Sequence, residues 1–344
     1  MRAVEFFSGI GGWAMALRRC RVMSEVVAAF DVNEAANRVY LLNFGLTPQS
    51  RNLETLSAEA LDELGADLFM MSPPCQPFTR SNDSGDRDRS DPRSKALLNL
   101  IEQMSRMSRP PAYFVLENVV GFESSECCAL LLATLKRRGY SYQQYHLTPS
   151  QLGIPNDRPR YYCIARLHLP FGGDETREQL LTSLPHIYEG VPAPISDYLH
   201  CDISPEELTS LQVPEQVLSK SAAWCFDIVS PGERRSSCFT KAYSKFIRGS
   251  GSVLFEPKDG ETSPITFLHA PEHRMYDGDW RRQFNGGTLR YFSPKELQRI
   301  FGFPAHPAFR FPDDLTHRKC FELLGNSLSV FVATELLNIL FDSL

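Results

Sequence analysis

The sequence predicts an α/β fold, in which helices cover a mostly parallel sheet and a smaller domain is inserted late in the chain. Three observations support this prediction. Short apolar runs alternate with helical patterns over residues 1–166, as expected for a parallel sheet with covering helices. Over residues 167–287 the pattern gives way to Pro, Gly, Ser and charge, and over 288–344 helical periodicity returns. We therefore predict a first domain of residues 1–166 and 288–344 and an inserted domain of residues 167–287.

The elements of the first domain follow from runs of apolar residues between turn residues. In chain order the predicted strands are AVEFF, EVVAAFD, DLFMM, YFVLEN, YQQYHL and YYCIAR. RSKALLNLIEQMSRM places its apolar residues on one helical face, and ECCALLLATLKRRG places Cys127 and Cys128 in an amphipathic helix. In GNSLSVFVATELLNILF, we predict that Asn326 or Ser327 caps the last helix.

Composition limits the possible classes of protein. The chain has 344 residues, a formal net charge of -5 and 42% apolar residues, with no apolar run long enough to cross a bilayer. The nine cysteines lack paired CxxC spacing, so neither a disulfide framework nor a metal site is predicted. Without an export leader at the N-terminus, we expect an intracellular monomer, in the cytoplasm and also the nucleus. A polyanionic partner would need a local basic surface.

One cysteine lies in an unusual setting. In MMSPPCQPFT, Cys75 follows a predicted buried strand and is flanked by Pro73, Pro74 and Pro77. Prolines end strand pairing and restrict the backbone, so the thiol is held at the edge of the sheet where α/β proteins bind ligands. Taken alone, the motif fits a nucleophile or a small packing residue equally well.

A glycine-rich turn follows the first predicted strand. VEFFSGIGGWAMAL lets the backbone approach a ligand at the start of a helix. Its spacing is not GxGxxG, which favours S-adenosylmethionine over a dinucleotide, although a plain tight turn is also open. After the second strand, Asp31 suits the two hydroxyls of a ribose, with Val32 beside it to cover an adenine, or else it caps a helix.

Further charged residues lie at strand ends. Glu117 ends the run FVLEN, so it shares the ligand-binding edge with Cys75 and Asp31. In IPNDRPRYY, Arg158 and Arg160 point to the same side if the segment is extended. They suit a phosphate or a thiolate, or form an exposed salt-bridged edge.

The motifs FSGIGG, PPCQPF, ENV, RPR and GNSLSV occur here in the order found in the cytosine-5 methyltransferases, and the chain resembles that family over nearly its whole length. The resemblance implies a Rossmann-like, S-adenosylmethionine-dependent domain with a smaller target-recognition domain, and S-adenosylhomocysteine as a product. It implies that Cys75 is the nucleophile, with Glu117, Arg158 and Arg160 as the other catalytic residues. The positions implied to bind the cofactor are Phe7, Ile10, Gly11, Gly12, Asp31, Val32, Asn52, Leu53, Ser72, Pro74, Asn326 and Ser327.

The segment CFTKAYSKFIRGSGSVL resembles the signature of the tRNA-methylating branch of this family. That resemblance implies methylation of tRNA, at cytosine 38 in the anticodon loop of tRNA(Asp). The basic residues expected to hold the RNA are Arg80, Lys95, Lys241, Lys245 and Arg248. A DNA cytosine-5 methyltransferase and a catalytically weak nucleic-acid-binding homologue remain the alternatives.

Overall fold

The computed structural model describes residues 1–75, 91–171, 179–185, 190–200, 203–257, 287–304 and 308–342. These fall into two units. The first unit comprises Met1–Thr148, Pro159–Ile187 and Ser327–Leu344, and the second comprises Pro149–Arg158 and Tyr188–Asn326. The second unit therefore differs from the predicted inserted domain, because it also takes in residues 149–158 and 288–326 and leaves residues 167–187 to the first unit.

A seven-stranded sheet forms the centre of the first unit. Its strands are β1 (Arg2–Phe6), β2 (Glu25–Phe30), β3 (Leu68–Met71), β4 (Tyr113–Val119), β5 (Tyr140–Leu147), β6 (Arg160–Leu167) and β7 (Leu180–Leu181). They are ordered β2-β1-β3-β4-β6-β5-β7. Strands β1 to β4 pair in parallel, whereas β6 runs antiparallel to both β4 and β5. The six predicted strands are thus present, and the sheet is mostly parallel.

Six described helices belong to this unit. They are α1 (Gly12–Arg19), α2 (Glu34–Phe44), α3 (Ala58–Glu63), α4 (Lys95–Arg106), α5 (Glu126–Arg137) and, at the end of the chain, Val330–Phe341. The predicted apolar face of α4 is buried, and both cysteines of α5 are fully buried. The predicted cap of the last helix is wrong: the N-cap residue is Ser329, because the chain turns at Ser327 and Leu328 before helical geometry begins.

Aromatic and aliphatic residues of the strands form the core of the first unit. The rings of Phe6 and Phe30 are stacked with centroids 5.2 Å apart, and Phe69 meets Phe6 edge-on at 5.1 Å. Each of these rings is at least 99% buried. Since these side chains occupy neighbouring strands, their packing fixes the register at the ends of β1, β2 and β3.

The second unit contains a small sheet ordered β10-β9-β8, formed by β8 (Asp227–Val229), β9 (Ser252–Glu256) and β10 (Thr288–Arg290). Its helices within the described residues are α6 (Pro205–Leu211), α7 (Glu215–Leu218), α8 (Pro294–Phe301) and α9 (His317–Gly325), and the helix Val330–Phe341 of the first unit is therefore numbered α10. β10 pairs antiparallel with β9, and Arg290 forms ion pairs with Glu256 of β9 and Glu296 of α8. This pairing explains why residues 288–301 belong to the second unit.

By length and composition alone, the segment His317–Phe341 qualifies as a membrane span, which the sequence analysis did not predict. In the structure it is divided between α9 and α10, and 61% of its most apolar window is buried. Burial of this kind is typical of core helices in globular proteins.

Candidate active site

Three neighbouring strands, β2, β1 and β3, end level with one another at the carboxyl edge of the main sheet, and β4 runs three residues further. One row of paired residues runs across β2, β1, β3 and β4, and its members are Phe30, Phe6, Met71 and Leu116. The residues that follow this row are Asp31, Phe7, Ser72 and Glu117. The structure therefore places the predicted polar groups on one edge, as the sequence analysis expected.

Three hydrogen bonds just beyond β3 hold the loop that carries Cys75. Ser72 donates its backbone N–H to the carbonyl of Phe6 at 3.3 Å. The indole Nε1 of Trp13 donates to Ser72 Oγ at 3.0 Å, and Asn118 Nδ2 donates to the carbonyl of Pro73 at 3.3 Å. Cys75 itself is half-buried. Hydrogen bonds from three directions, together with the two prolines, hold this thiol in a defined place at the sheet edge.

Arg93 is a cation that interacts electrostatically with Cys75. Arg93 makes a two-pronged contact with Asp91, through Nε at 2.9 Å and Nη2 at 2.5 Å. The pKa of Arg93 is raised first by its hydrogen bond to Asp91, then by the charge of Asp91, and least by its electrostatic interaction with Cys75. A nearby guanidinium favours the thiolate form of a cysteine.

Glu117 and Arg160 form an ion pair on one face of the sheet. Because β6 runs antiparallel to β4, its first residue lies at the edge where β4 ends. Arg160 is opposite Val119, and Glu117 is two residues before Val119, so both charged side chains project to the same face. Arg160 Nε is 3.5 Å from Glu117 Oε1, and the two side chains are 14% and 11% exposed. A guanidinium in this position orients the carboxyl group and balances its charge.

Arg158 has a different setting from Arg160. It belongs to the second unit, where it is 2% exposed and donates to the carbonyls of Phe239 at 2.7 Å and Gly325 at 3.0 Å. Its guanidinium also lies 5.0 Å from the ring of Phe301. These contacts give Arg158 a structural role in the second unit, and its catalytic role stays a prediction.

The glycine-rich turn after β1 has an unusual backbone conformation and is packed closely against neighbouring side chains of the first unit. Phe7 adopts φ 56°, a left-handed conformation that is rare for residues with a side chain. Gly11 has φ 86°, and a Cβ there would lie 2.2 Å from the ring of Phe44. A Cβ on Gly12 would lie 2.8 Å from Leu328 and 3.1 Å from Ser327 Oγ. Ser327 is therefore brought against the turn, although it is remote in sequence.

Asp31 connects this turn to the start of α2. Its Oδ2 accepts the backbone N–H of Gly9 at 2.7 Å, and its Oδ1 accepts that of Asn33 at 2.8 Å. Asn33, and not Asp31, caps α2. Burial raises the pKa of the Asp31 carboxyl, against the effect of these hydrogen bonds. Each carboxylate oxygen has a further lone pair, so Asp31 has the capacity to accept from a ribose as well.

The residues around the turn fit an adenosine linked to an amino acid. The hydroxyl of Ser8 is buried and has no hydrogen-bond partner within the described residues, which suits a polar ligand group at the turn. Val32, beside Asp31, is 75% exposed and offers an apolar surface for an adenine, while Ile10 is buried. Sequence analysis missed Ser8, whose signal is its position inside the FSGIGG turn.

The remaining predicted cofactor residues have local roles. Asn52 caps the short helical turn Leu53–Thr55 through its side chain, and Asn99 donates to the carbonyl of Leu53 at 2.7 Å. Pro74 is partly exposed next to Cys75. Asn326 ends α9 in the second unit. Their contacts with a cofactor stay predictions.

A buried polar network joins the glycine-rich turn to the cysteine loop, and sequence analysis did not find it. Glu5 of β1 is 1% exposed; its Oε1 accepts the backbone N–H of Trp13 at 3.2 Å and its Oε2 accepts Tyr40 Oη at 2.8 Å. Burial raises the pKa of Glu5 to about 8. Since the same Trp13 donates to Ser72, one tryptophan connects the start of α1 with the loop of Cys75.

The basic residues expected to hold RNA are only partly described. Arg80 lies outside the described residues. Lys95 is exposed at the first position of α4, and Lys241, Lys245 and Arg248 are exposed in the second unit. Among the described residues, none of these four forms an ion pair, so each is available to a polyanion.

Comparison with known proteins identifies the class. The family model of the C-5 cytosine-specific DNA methylases matches residues 1–342. A Spodoptera frugiperda protein named tRNA (cytosine(38)-C(5))-methyltransferase is 37% identical, with 99% of each chain covered. A Dictyostelium discoideum protein named DNA (cytosine-5)-methyltransferase is 33% identical, covering 99% of this chain and 94% of that protein. The crystal structure of a Spodoptera frugiperda DNMT2 variant superimposes with a TM-score of 0.83 at 36% identity, covering 99% of both chains.

The sheet, the glycine-rich turn and the Cys75 edge together define a Rossmann-like methyltransferase fold. The chain belongs to the C-5 cytosine-specific methylase family, and it is similar over its whole length to DNMT2. Both the predicted family and the predicted enzyme class, a cytosine C5 methyltransferase, are confirmed.

Proposed function

We propose that this protein transfers a methyl group from S-adenosylmethionine to carbon 5 of cytosine 38 in the anticodon loop of tRNA(Asp). The observation that carries the proposal is the geometry of Cys75, which three hydrogen bonds hold on the sheet edge shared with Glu117 and its partner Arg160. A nucleophile, an acid and a cation on one edge are the groups that methylation of a cytosine ring requires.

Carbon 5 of cytosine is too weak a nucleophile to be methylated directly. In the proposed reaction, the Cys75 thiolate adds to carbon 6, and the electron pair released towards carbon 5 makes that carbon nucleophilic. Glu117 donates a proton or hydrogen bond to ring nitrogen 3 and accepts from the exocyclic amine, which stabilises the adduct and distinguishes cytosine from uracil. Arg160 orients the carboxyl group of Glu117. After methylation, removal of the carbon 5 proton lets the carbon–sulfur bond break and returns the Cys75 thiolate.

When bound, S-adenosylmethionine supplies an electrophilic methyl group. In this chain, Gly11 and Gly12 let the turn pack closely against Phe44, Leu328 and Ser327, so the backbone of the turn would present its N–H groups to such a ligand without intervening side chains. Ser8 and Ser327 offer hydroxyls for its amino-acid part, and Asp31 offers a carboxylate for its ribose hydroxyls. Val32, which is exposed, would cover the adenine, and Leu53 is the other apolar residue proposed to contact the cofactor.

An RNA loop suits the charge of this chain. The net charge is -5, so attraction to nucleic acid depends on local clusters such as Lys241, Lys245 and Arg248. A base in an anticodon loop is already unpaired, so the enzyme does not have to open a duplex to reach it. The name of the Spodoptera frugiperda relative, which specifies tRNA cytosine 38, supports this choice.

DNA methylation is the second candidate. It is favoured by the name of the Dictyostelium discoideum relative, DNA (cytosine-5)-methyltransferase. The groups around Cys75 would serve either substrate, because cytosine presents the same ring atoms in RNA and DNA. A catalytically weak homologue that only binds nucleic acid is the third candidate. The presence of both Cys75 and Glu117 argues against it.

The test is methyl transfer with labelled S-adenosylmethionine and three substrates at matched concentration: tRNA(Asp), tRNA(Asp) with uridine at position 38, and a cytosine-containing duplex DNA. We expect label only in the first, with bisulfite sequencing locating it at position 38, and none with Cys75→Ala. Faster labelling of the duplex than of tRNA(Asp) would instead support DNA methylation. No label in any of the three substrates would support the homologue that only binds nucleic acid.

A further inference from the structure

Residues 238–254 of the second unit form a basic segment, and a large aromatic side chain is exposed in its middle. Phe246 is 59% exposed, whereas the other aromatic residues of the same segment, Phe239 and Tyr243, are at least 98% buried. Exposing a phenylalanine is unfavourable in water and needs no explanation when it is isolated, but here cations lie on both sides of it in sequence, Lys245 directly before it and Arg248 two residues after it.

The segment that carries Phe246 is held firmly. Thr240 donates its backbone N–H to the carbonyl of Ser250 at 2.9 Å, and Ser250 Oγ donates to the carbonyl of Phe246 at 2.6 Å. Beneath them, Tyr243 Oη donates to the carbonyl of Ser252 at 2.7 Å and accepts the N–H of Phe292 at 2.9 Å. The ring is therefore presented on an ordered turn, which reduces the entropy lost when a ligand binds.

Phe239 and Thr240, near the start of this segment, support the turn and do not form its outer face. Phe239 packs edge-on against Tyr243 and Phe292, with ring centroids 5.0 and 5.3 Å apart. The backbone of Thr240 passes Gly325 closely: a Cβ added to Gly325 would lie 2.2 Å from the carbonyl carbon of Thr240. A buried phenylalanine cannot touch RNA, so whatever recognition this segment performs falls to its exposed side chains.

Those exposed side chains combine one ring with three cations. Lys241, Lys245 and Arg248 are exposed, and the segment from 238 to 255 contains no acidic residue. Lys245 Nζ lies 5.6 Å from the centroid of the Phe246 ring. A stacking surface next to cations is the combination with which proteins bind single-stranded nucleic acid, because the ring takes a base while the cations take phosphates.

We propose that Phe246 stacks on an unpaired nucleobase of the tRNA substrate, beside the phosphates held by Lys241, Lys245 and Arg248. This inference rests on the proposed function. Stacking is an uncharged contact, so it contributes to RNA affinity without releasing counterions from the phosphates. Phe246 and its basic neighbours should therefore respond differently to salt.

The experiment measures the tRNA(Asp) dissociation constant of the full-length protein at several salt concentrations. Phe246→Leu keeps an apolar side chain but removes the aromatic face, and we expect about fivefold weaker binding or more, with an unchanged salt slope. Phe246→Trp should bind as well as the wild type or better. Lys245→Gln should instead flatten the salt slope. Leu41→Ala, which trims an apolar residue exposed at 45% on the first unit, is the matched control and should change nothing.

Two results would overturn the inference. One is a Phe246→Leu protein that binds tRNA(Asp) within twofold of wild type, and the other is a Phe246→Trp protein as weak as Phe246→Leu. Affinity for S-adenosylmethionine should be equal in all variants, which detects misfolding. Failure of the proposed function would give a different result from failure of this inference, because the wild-type protein itself would then leave cytosine 38 unmethylated. A wild type that does not bind tRNA(Asp) would overturn both.

Discussion

Replacing Trp13 by phenylalanine tests how the cysteine loop is positioned. The change removes the indole Nε1–H that donates to Ser72 Oγ at 3.0 Å and lies 3.3 Å from the carbonyl of Met71, and it leaves the backbone contact with Glu5 in place. Losing a donor to buried acceptors costs about 1–3 kcal/mol. The smaller ring leaves roughly 40 Å³ unfilled, which costs about 1 kcal/mol more. The expected loss in free energy of unfolding is therefore about 2–4 kcal/mol.

The same substitution should slow catalysis. Ser72 is three residues before Cys75, so a looser Ser72 lets the thiol move away from its reactive position. A loss of about 1.4 kcal/mol of positioning would lower kcat about tenfold. Affinity for S-adenosylmethionine should change less than kcat does, because the Trp13 backbone N–H stays on Glu5.

Urea unfolding and single-turnover methyl transfer measure the two effects. Trp224→Phe is the matched control, since it makes the same change in a half-buried tryptophan of the second unit. It should leave kcat within twofold of wild type. If Trp13→Phe lost stability while kcat stayed at the wild-type value, the hydrogen bond to Ser72 would be structural only and the positioning argument would be refuted.

Three further predictions follow from the other charged groups. Asp31→Asn should weaken S-adenosylmethionine binding by about 1–3 kcal/mol, because charge-assisted hydrogen bonds are lost; unchanged calorimetric affinity would remove Asp31 from the site. The pKa of Glu5, raised from 4.5 to about 8, keeps it protonated in the folded protein while the unfolded chain ionises, so this group's stabilisation is lost as pH rises from 4.5 to 8. Glu5→Gln should therefore gain stability relative to wild type between pH 5 and pH 8 in urea unfolding, and a pH-independent difference would contradict this. Changing Lys241, Lys245 and Arg248 together to glutamine should reduce the salt slope of tRNA binding and leave S-adenosylmethionine binding unaffected; an unchanged slope would place the RNA contacts elsewhere.

The strands and the functional edge could be predicted because they depend on local patterns. Runs such as DLFMM and FVLEN are apolar enough to define buried strands, and the residues that follow them fall at the carboxyl edge once the strands are parallel. The pairing row from Phe30 to Leu116 confirms this placement for Asp31 and Glu117.

Strand direction and distant contacts could not be predicted in the same way. Periodicity does not reveal that β6 runs antiparallel, yet this direction brings Arg160 to Glu117. Trp13 reads as one more apolar helix residue, and its hydrogen bond to Ser72 joins positions 59 residues apart. Likewise, Arg290 joins residues 288–301 to the small sheet through Glu256 and Glu296, an ion-pair network that no local pattern indicates.

The central claim is that Cys75 forms a covalent bond to carbon 6 of cytosine 38. Fluorine at carbon 5 cannot leave as a proton does, so tRNA(Asp) carrying 5-fluorocytosine at position 38 should trap the adduct once the methyl group has been transferred. Mass spectrometry of the digested protein then locates the bond. We predict that the modified peptide contains Cys75 and that Cys75→Ala gives no adduct. No adduct with the wild-type protein, or an adduct on another half-buried cysteine such as Cys238, would contradict the account.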